Sequence, residues 1–265
     1  MKTIKITFKK RTLLITVMIF ALAIGVATGG YFWRKAKIES SKKAIVTIVF
    51  DDDDVSIYNE AFKRMKALGL KGTNYNIGGF IGQPGKMTKE QLQEMYDSGW
   101  SISNHTKLHW NLTGRSDVEV VNLVKGERLL LISNGWTKGA DEFCPPQNSI
   151  NDRELDLIRP YIHSSTDSQK GINNIPFDRY HISRSGAFAN KPEAIIGWVD
   201  KAIEDKQYVH LNFHKIGSGT VLDYSPENFQ RVIEYVAQKR NEGKIEVKTM
   251  YELIENCERL NQCID

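Results

Sequence analysis

The 265-residue sequence predicts an α/β protein, a (β/α) barrel of about seven strands preceded by one N-terminal transmembrane helix. Three observations carry that expectation. Short runs rich in β-branched residues alternate with runs of helical period from residue 44 onward, the signature of βα units. An uncharged run over residues 12–33 precedes them and has the ~20 residues that a bilayer crossing needs. Asp51, His105 and His214 each follow a predicted strand, so three separate segments aim reactive groups at one end of the barrel.

The chain divides into a basic segment (1–11), a transmembrane anchor (12–33), a linker (34–43) and one folded domain (44–265). Lys2, Lys5, Lys9, Lys10 and Arg11 lead the apolar run, and Tyr31, Phe32 and Trp33 close it at headgroup level. A cleavable signal peptide would have a shorter apolar region, and Ala21-Leu22-Ala23 lies too deep in the run to be a cleavage site. The leading side is the more basic, which places the N-terminus inside and the domain outside a cell membrane, or secreted if the segment is cleaved. The formal charge of +4 conceals an uneven distribution. The ten Lys/Arg and one acid of residues 1–43 leave 26 basic against 31 acidic side chains in the domain, so nucleic-acid binding is excluded. No protein partner is implied. Of three cysteines, Cys144 stands alone, whereas Cys257 and Cys263 are close enough to pair in an oxidising compartment. The lack of a CxxC motif excludes a zinc ribbon.

Residues 44–49 form the first strand, a run of small and β-branched residues that reads as buried. Ser56 opens an amphipathic helix through Ala61, Phe62, Met65 and Leu68, which Gly69 ends; the next strand is 72–77. Thr88 to Gln91 is a capping box, and a strand begins at Gly99. Ser116 to Glu119 is a second capping box, opening a long helix, with a strand expected over 140–143. A helix is expected over 151–158, a strand over 161–165, a loop over 169–178 and a strand over 180–183. Residues 192–205 read as a helix, 208–213 as a strand, and Ser225-Pro226 as a helix start with proline at its first position. A strand over 244–247 and a helix from Thr249 complete the chain.

The first strand delivers Asp51, Asp52, Asp53 and Asp54 together. Crowding like charges is costly unless a cation neutralises them or one carboxylate holds a shifted pKa; the alternative is a solvated acidic loop. His105 and His109 lie four apart, where both imidazoles can bind one ion. With an aspartate they make a two-His, one-Asp ligand set, for which zinc is the first expectation. His210 and His214 share one face of a strand. His210 reads as a packed core histidine, and His214, at the strand end, as the better candidate for acid/base work.

The segments Val49-Phe50-Asp51-Asp52, Ser103-Asn104-His105-Thr106-Lys107-Leu108-His109, Phe143-Cys144-Pro145-Pro146-Gln147 and Leu211-Asn212-Phe213-His214 stand in the order of motifs of the polysaccharide deacetylases. The chain resembles that family, the NodB-homology group of carbohydrate esterase family four, from about residue 44 to 252. The resemblance implies a distorted (β/α) barrel that hydrolyses acetyl groups from N-acetylglucosamine-containing polysaccharides, exopolysaccharide or cell-wall glycan, with a divalent metal activating a water. Asp52, His105 and His109 would hold the metal, Asp51 would be the general base and His214 the general acid. Gln147 and Pro146 fall in the segment that binds the oxyanion and substrate.

Two departures stand out. Cys144 occupies the place of the family's arginine and Gln147 that of its tyrosine, so Asp51 must find another orienting partner. Arg184 is the candidate, against the plainer reading of a surface arginine. Asp53 replaces a glycine. The fourth motif has no secure match; Trp198 lies near its place and equally suits the core. Two other functions compete: a glycan O-acetyl esterase on the same metal site, and a catalytically silent carbohydrate-binding module.

Overall fold

The first strand, β1 (Ala44–Asp51), is buried along its whole length and lies at the centre of the sheet. The computed structural model describes residues 43–186, 190–218 and 223–265. The basic segment, the anchor and all but the last residue of the linker lie outside the described residues. Among those described, no helix is long and apolar enough to cross a membrane. Lys43–Asp265 form one compact unit.

β2 (Thr73–Asn76), β3 (Ser101–Asn104), β4 (Glu142–Phe143) and β5 (Ser164–Ser165) follow β1 outward in parallel order. β6 (Ile172–Asn173) and β7 (Phe177–Asp178) occupy a stretch expected to be loop. The strand expected over 180–183 is instead β8 (Ser185–Gly186), while Ile182 makes a lone bridge to Thr166. β9 (Tyr208–Phe213) flanks β1 on its other side and pairs in turn with β8 and, antiparallel, with β6. β10 (Lys215–Ile216) and β11 (Asp223–Tyr224) form a separate pair. β12 (Ile245–Val247) pairs with the beginning of β1, and β13 (Cys263–Ile264) with β7. The result is a curled mixed sheet of about seven strands on its main path. A regular barrel ladder is replaced at the seam by the Thr166–Ile182 bridge.

Helices fill the outer side. A π-helical segment, Ile57–Phe62, runs into α1 (Lys63–Ala67), and Gly69 with φ +64° turns the chain away as a left-handed C-terminal residue should. α2 (Lys89–Asp97), α3 (Asp117–Ser133) and α4 (Asp152–Ile158) all begin with complete capping boxes, at Thr88, Ser116 and Asn151. α5 (Pro192–Asp205) and α6 (Pro226–Asn241) start on proline, where a missing N–H costs nothing, and α7 (Met250–Ile254) starts on a Thr249 capping box. Period 2 sends Val46, Ile48 and Phe50 outward into the largest apolar cluster, with Leu92, Val199, Val232 and Val236 from the helices. Trp198 is partly buried against this cluster. Cys257 and Cys263 form a disulfide that fastens the segment after α7 to β13.

Candidate active site

Because the sheet is parallel around β1, the C-terminal ends of β1, β3, β4 and β9 lie at one end of the fold. The residues just past those ends converge there. Asp52 Oδ1 lies 3.0 Å from His109 Nε2 and 3.5 Å from His105 Nε2. The three side chains place one ligand atom each within 4.8 Å of the others.

Local sequence explains how the histidines are held. Asn104, the last residue of β3, accepts a hydrogen bond from Thr106 N at 3.0 Å and donates its amide to the Val124 carbonyl at 2.9 Å. Thr106 in turn accepts from His109 N at 3.0 Å, so an Asx turn followed by a threonine turn presents both rings. His105 Nδ1 lies 2.7 Å from the Cys144 carbonyl. A carbonyl can only accept, so Nδ1 carries a hydrogen, and Nε2 is the nitrogen left facing Asp52 that could serve as a metal ligand. That is the outer contact a metal-ligating histidine normally has. The donor set of two imidazole nitrogens and one carboxylate fits zinc or a similar divalent ion.

Asp51 is 2% exposed, and one of its oxygens, Oδ2, accepts from Arg184 Nη2. Arg184 is itself buried, 7% exposed, not a surface residue. Its other nitrogen, Nη1, donates to Asn148 Oδ1 at 2.6 Å and to Cys144 Sγ at 3.1 Å. His214 Nε2 lies 3.7 Å from Asp51 Oδ2. The second oxygen of Asp51, Oδ1, is buried and has no hydrogen-bond partner among the described residues. Burial works to raise the Asp51 pKa, but Arg184, His105 and His214 outweigh it and hold the carboxyl below its ordinary value. Burial is likewise overcome at Asp52, where His105 and His109 hold the carboxylate well below the usual range.

The sequence also places a buried acid at Asp53, which accepts from Asn74 Nδ2 and Ile77 N. Burial, opposed by those two bonds, pushes it up to about 6. Behind it Glu127 of α3 accepts from Asn76 Nδ2 at 2.7 Å and from Gly78 N at 2.9 Å. Gly79 then donates to the Lys107 carbonyl at 2.9 Å; a Cβ there would stand 2.7 Å from that oxygen, so only glycine allows the two loops to meet. Of the nine non-glycine residues with positive φ among those described, six are at this site: Asp52, Asp53, Thr106, His109, Gln147 and Asn148. Such conformations cost ~1–3 kcal/mol each and persist where surrounding contacts enforce them, as they do here.

The structure therefore brings together Asp51, Asp52, His105, His109, His214 and Arg184. Gln147 and Pro146 sit in the turn after β4, Pro146 buried and Gln147 exposed, between the Cys144 carbonyl and Asn148. His210 is a buried core residue, with Nδ1 2.8 Å from Tyr208 Oη and 3.2 Å from Thr47 Oγ1, and burial lowers its pKa to about 3. Sequence reasoning missed Asn148 and Glu127. Asn148 follows the third motif without any spacing signal, whereas a glutamate on the apolar side of α3 was visible as an anomaly.

A family model for polysaccharide deacetylase matches residues 38–161. A putative polysaccharide deacetylase of Bacillus subtilis is 41% identical over 69 residues, 26% of this chain and 25% of that protein. The poly-β-1,6-N-acetyl-D-glucosamine N-deacetylase of Staphylococcus aureus strain MRSA252 is 27% identical over 144 residues, 49% of this chain and 48% of that protein. The chain thus spans between a quarter and a half of the length of these two relatives. Among solved structures, the esterase-family-four domain of a multidomain xylanase from the hindgut metagenome of Trinervitermes trinervoides superposes with a TM-score of 0.55 at 14% identity, covering 81% of this chain and 91% of that one. Peptidoglycan deacetylase PdaC from Bacillus subtilis superposes with a TM-score of 0.54 at 15% identity, covering 83% and 94%. These likenesses establish the shared fold.

Proposed function

The chain belongs to the polysaccharide deacetylase family, and on that premise we propose that it is a metal-dependent hydrolase removing N-acetyl groups from an N-acetylglucosamine-containing polysaccharide. The observation that carries the reading is the juxtaposition of the Asp52–His105–His109 cluster with a buried Asp51–Arg184 pair and His214. Asp52, His105 and His109 are the residues that would hold the ion, for which zinc is proposed. When bound, such an ion supplies a Lewis acid and lowers the pKa of a water from 15.7 to about 7.

The chain's own residues divide the proton transfers. Asp51 is kept ionised by Arg184, and its unpartnered Oδ1 is the atom that can take a proton from an attacking water. Arg184 acts through Asp51 as a positioning residue, filling the role left vacant at Cys144. His214 is the group placed to hand a proton to the departing amine, which is a poor leaving group without one. A backbone N–H of the turn at Gln147 serves the developing oxyanion, with the buried Pro146 preceding it in the substrate-binding segment. Residues 12–33 anchor the domain on the outer side of a cell membrane, where exopolysaccharide or cell-wall glycan is found.

The test is acetate release from N-acetylglucosamine oligomers and polymer by the zinc-loaded chain, with chelated protein as the control. Release from amide substrates that vanishes on chelation and returns with zinc is the expected result. Release only from O-acetylated glycans would replace the amidase reading by the esterase one. Glycan binding without release of any acetate would leave a silent module.

A further inference from the structure

Asp52, the carboxylate shared by both histidines of the ligand cluster, sits on backbone that a side chain disfavours. Its φ is +75° and that of Asp53 is +54°, two consecutive left-handed residues of which neither is glycine. Local preference does not hold them there. Contacts from three directions do.

The first is the Asp53 side chain, which is fully buried. One of its oxygens accepts from Asn74 Nδ2, in β2, and the other from Ile77 N just past that strand. Asn74 is the register partner of Phe50, so these bonds tie the turn after β1 to the neighbouring strand. The second is Lys86, whose Nζ donates to the Asp52 carbonyl at 2.6 Å. The same ammonium lies 4.8 Å from the centre of the Phe80 ring, which is 6.4 Å from that of His109. The third is backbone: Met87 N donates to the Asp53 carbonyl at 3.1 Å, and Val55 N to that of Gly85 at 3.0 Å.

The network also reaches the histidines. The Asn76 carbonyl accepts from His105 N at 2.9 Å, and Gly79 N donates to the Lys107 carbonyl between His105 and His109. Residues 74–79 therefore grip the aspartate ligand on one side, through Asp53, and the histidine loop on the other. We propose that Asp53 and Lys86 are positioning residues for the metal: their side chains fix the left-handed turn that presents Asp52 to His105 and His109, so the three ligand atoms are in place before an ion arrives. These roles rest on the metal-dependent reading. Asp53 and Lys86 act through Asp52 and are not ligands themselves; the ligand atoms that converge are those of Asp52, His105 and His109.

Zinc affinity of the full chain, read by competition with a chromophoric chelator, tests this with three variants. Asp53→Asn and Asp53→Gly remove the same charge, so their difference isolates the side-chain bonds. The asparagine can keep both bonds. Its oxygen accepts from Ile77 N, and its nitrogen donates to Asn74 once that amide turns over, since Asn74 Oδ1 is buried and unpartnered among the described residues. Glycine keeps neither bond but suits a φ of +54° best. Asp53→Asn should bind zinc more tightly than Asp53→Gly by roughly tenfold or more, within the ~10–100-fold of an outer contact. Equal affinities, or the reverse order, would mean that backbone conformation alone matters and overturn the proposal.

Lys86→Met, at a half-buried position, keeps the test open if the Asp53 variants do not fold. Loss of a cation beside the ligands would by itself tighten zinc binding, whereas loss of a positioning contact should weaken it by roughly tenfold. Affinity unchanged or raised contradicts the role of Lys86. Cobalt(II) in place of zinc gives a second readout, because its visible bands follow ligand geometry. They should move in Asp53→Gly and Lys86→Met and stay in Asp53→Asn; identical bands in all chains overturn the proposal. A parent chain that takes up no zinc would refute the metal-dependent reading itself, whereas variants that match a zinc-binding parent refute only the positioning roles.

Discussion

On β1, Val46, Ile48 and Phe50 face the helices while Thr47, Val49 and Asp51 face into the curl of the sheet, and adjacent residues obey different physics. The outer face is an aromatic and aliphatic contact in which Phe50 meets Trp100, Phe213 and Phe229 at centroid distances of 5.6, 5.7 and 5.8 Å. Its stabilisation is non-directional and scales with the area removed from water. The inner face is a buried interior furnished with polar groups. Thr47, Tyr208 and His210 bond one another, and further along Arg184 donates to both Asp51 and Cys144. There each group is worth what its partner makes of it, because an orphan in low dielectric costs more than the bond gains. Outer-face changes should therefore cost stability and spare chemistry, whereas inner-face changes near the strand end should cost chemistry, whether or not they also cost stability.

The largest effect is expected at His105→Ala. Removing one ligand should cut zinc affinity by more than the ~10–100-fold typical of altering an outer contact, with activity falling in step, as read by zinc titration. Next is Arg184→Gln, which leaves Asp51 buried without its charge partner. It should lower stability by about 3–5 kcal/mol and raise the acid limb of the pH–rate profile, since Asp51 would lose the cation that holds its pKa down. An unmoved acid limb would separate Arg184 from the base. Phe50→Ala on the outer face should also cost ~3–5 kcal/mol by denaturant titration, yet leave kcat of the folded fraction unchanged. Loss of kcat there would break the division between the two faces.

The smallest effect concerns Glu127. Its carboxyl is pushed by burial to about 8 from an ordinary 4.5. Between those values the folded chain holds a proton that the unfolded chain has released, so stability falls as pH rises through that window. Glu127→Gln should remove this share of the slope, up to about 1 kcal/mol per pH unit, measured by denaturation at about pH 5 and about pH 8.

The regular parts of this fold are written locally. The capping boxes at Thr88, Ser116 and Thr249 and the prolines at 192 and 226 announce their helices in the sequence. The helix over 192–205 and the strand over 208–213 lie where periodicity puts them. The stretch 169–186 did not read correctly, because β6, β7 and β8 are two-residue strands defined by distant partners, β9 and β13, rather than by any alternation of their own. The site follows the same divide. Asp51, Asp52, His105, His109 and His214 stand in contiguous motifs that each end a strand. Arg184 could be suspected only because Cys144 left a vacancy, and its contact with Asn148 exists only once the seam of the sheet has formed. Cys144 contributes a carbonyl, which no side-chain pattern encodes.

The measurement that bears most directly on the account is acetate release from N-acetylglucosamine oligomers by zinc-loaded chains with and without Asp51→Asn. Zinc occupancy is determined on both. With zinc retained, the variant should lose roughly 10²–10⁴-fold, the loss of a group that moves a proton in the transition state. An Asp51→Asn chain that binds zinc and releases acetate at the parent rate would contradict the role assigned to the buried Asp51–Arg184 pair.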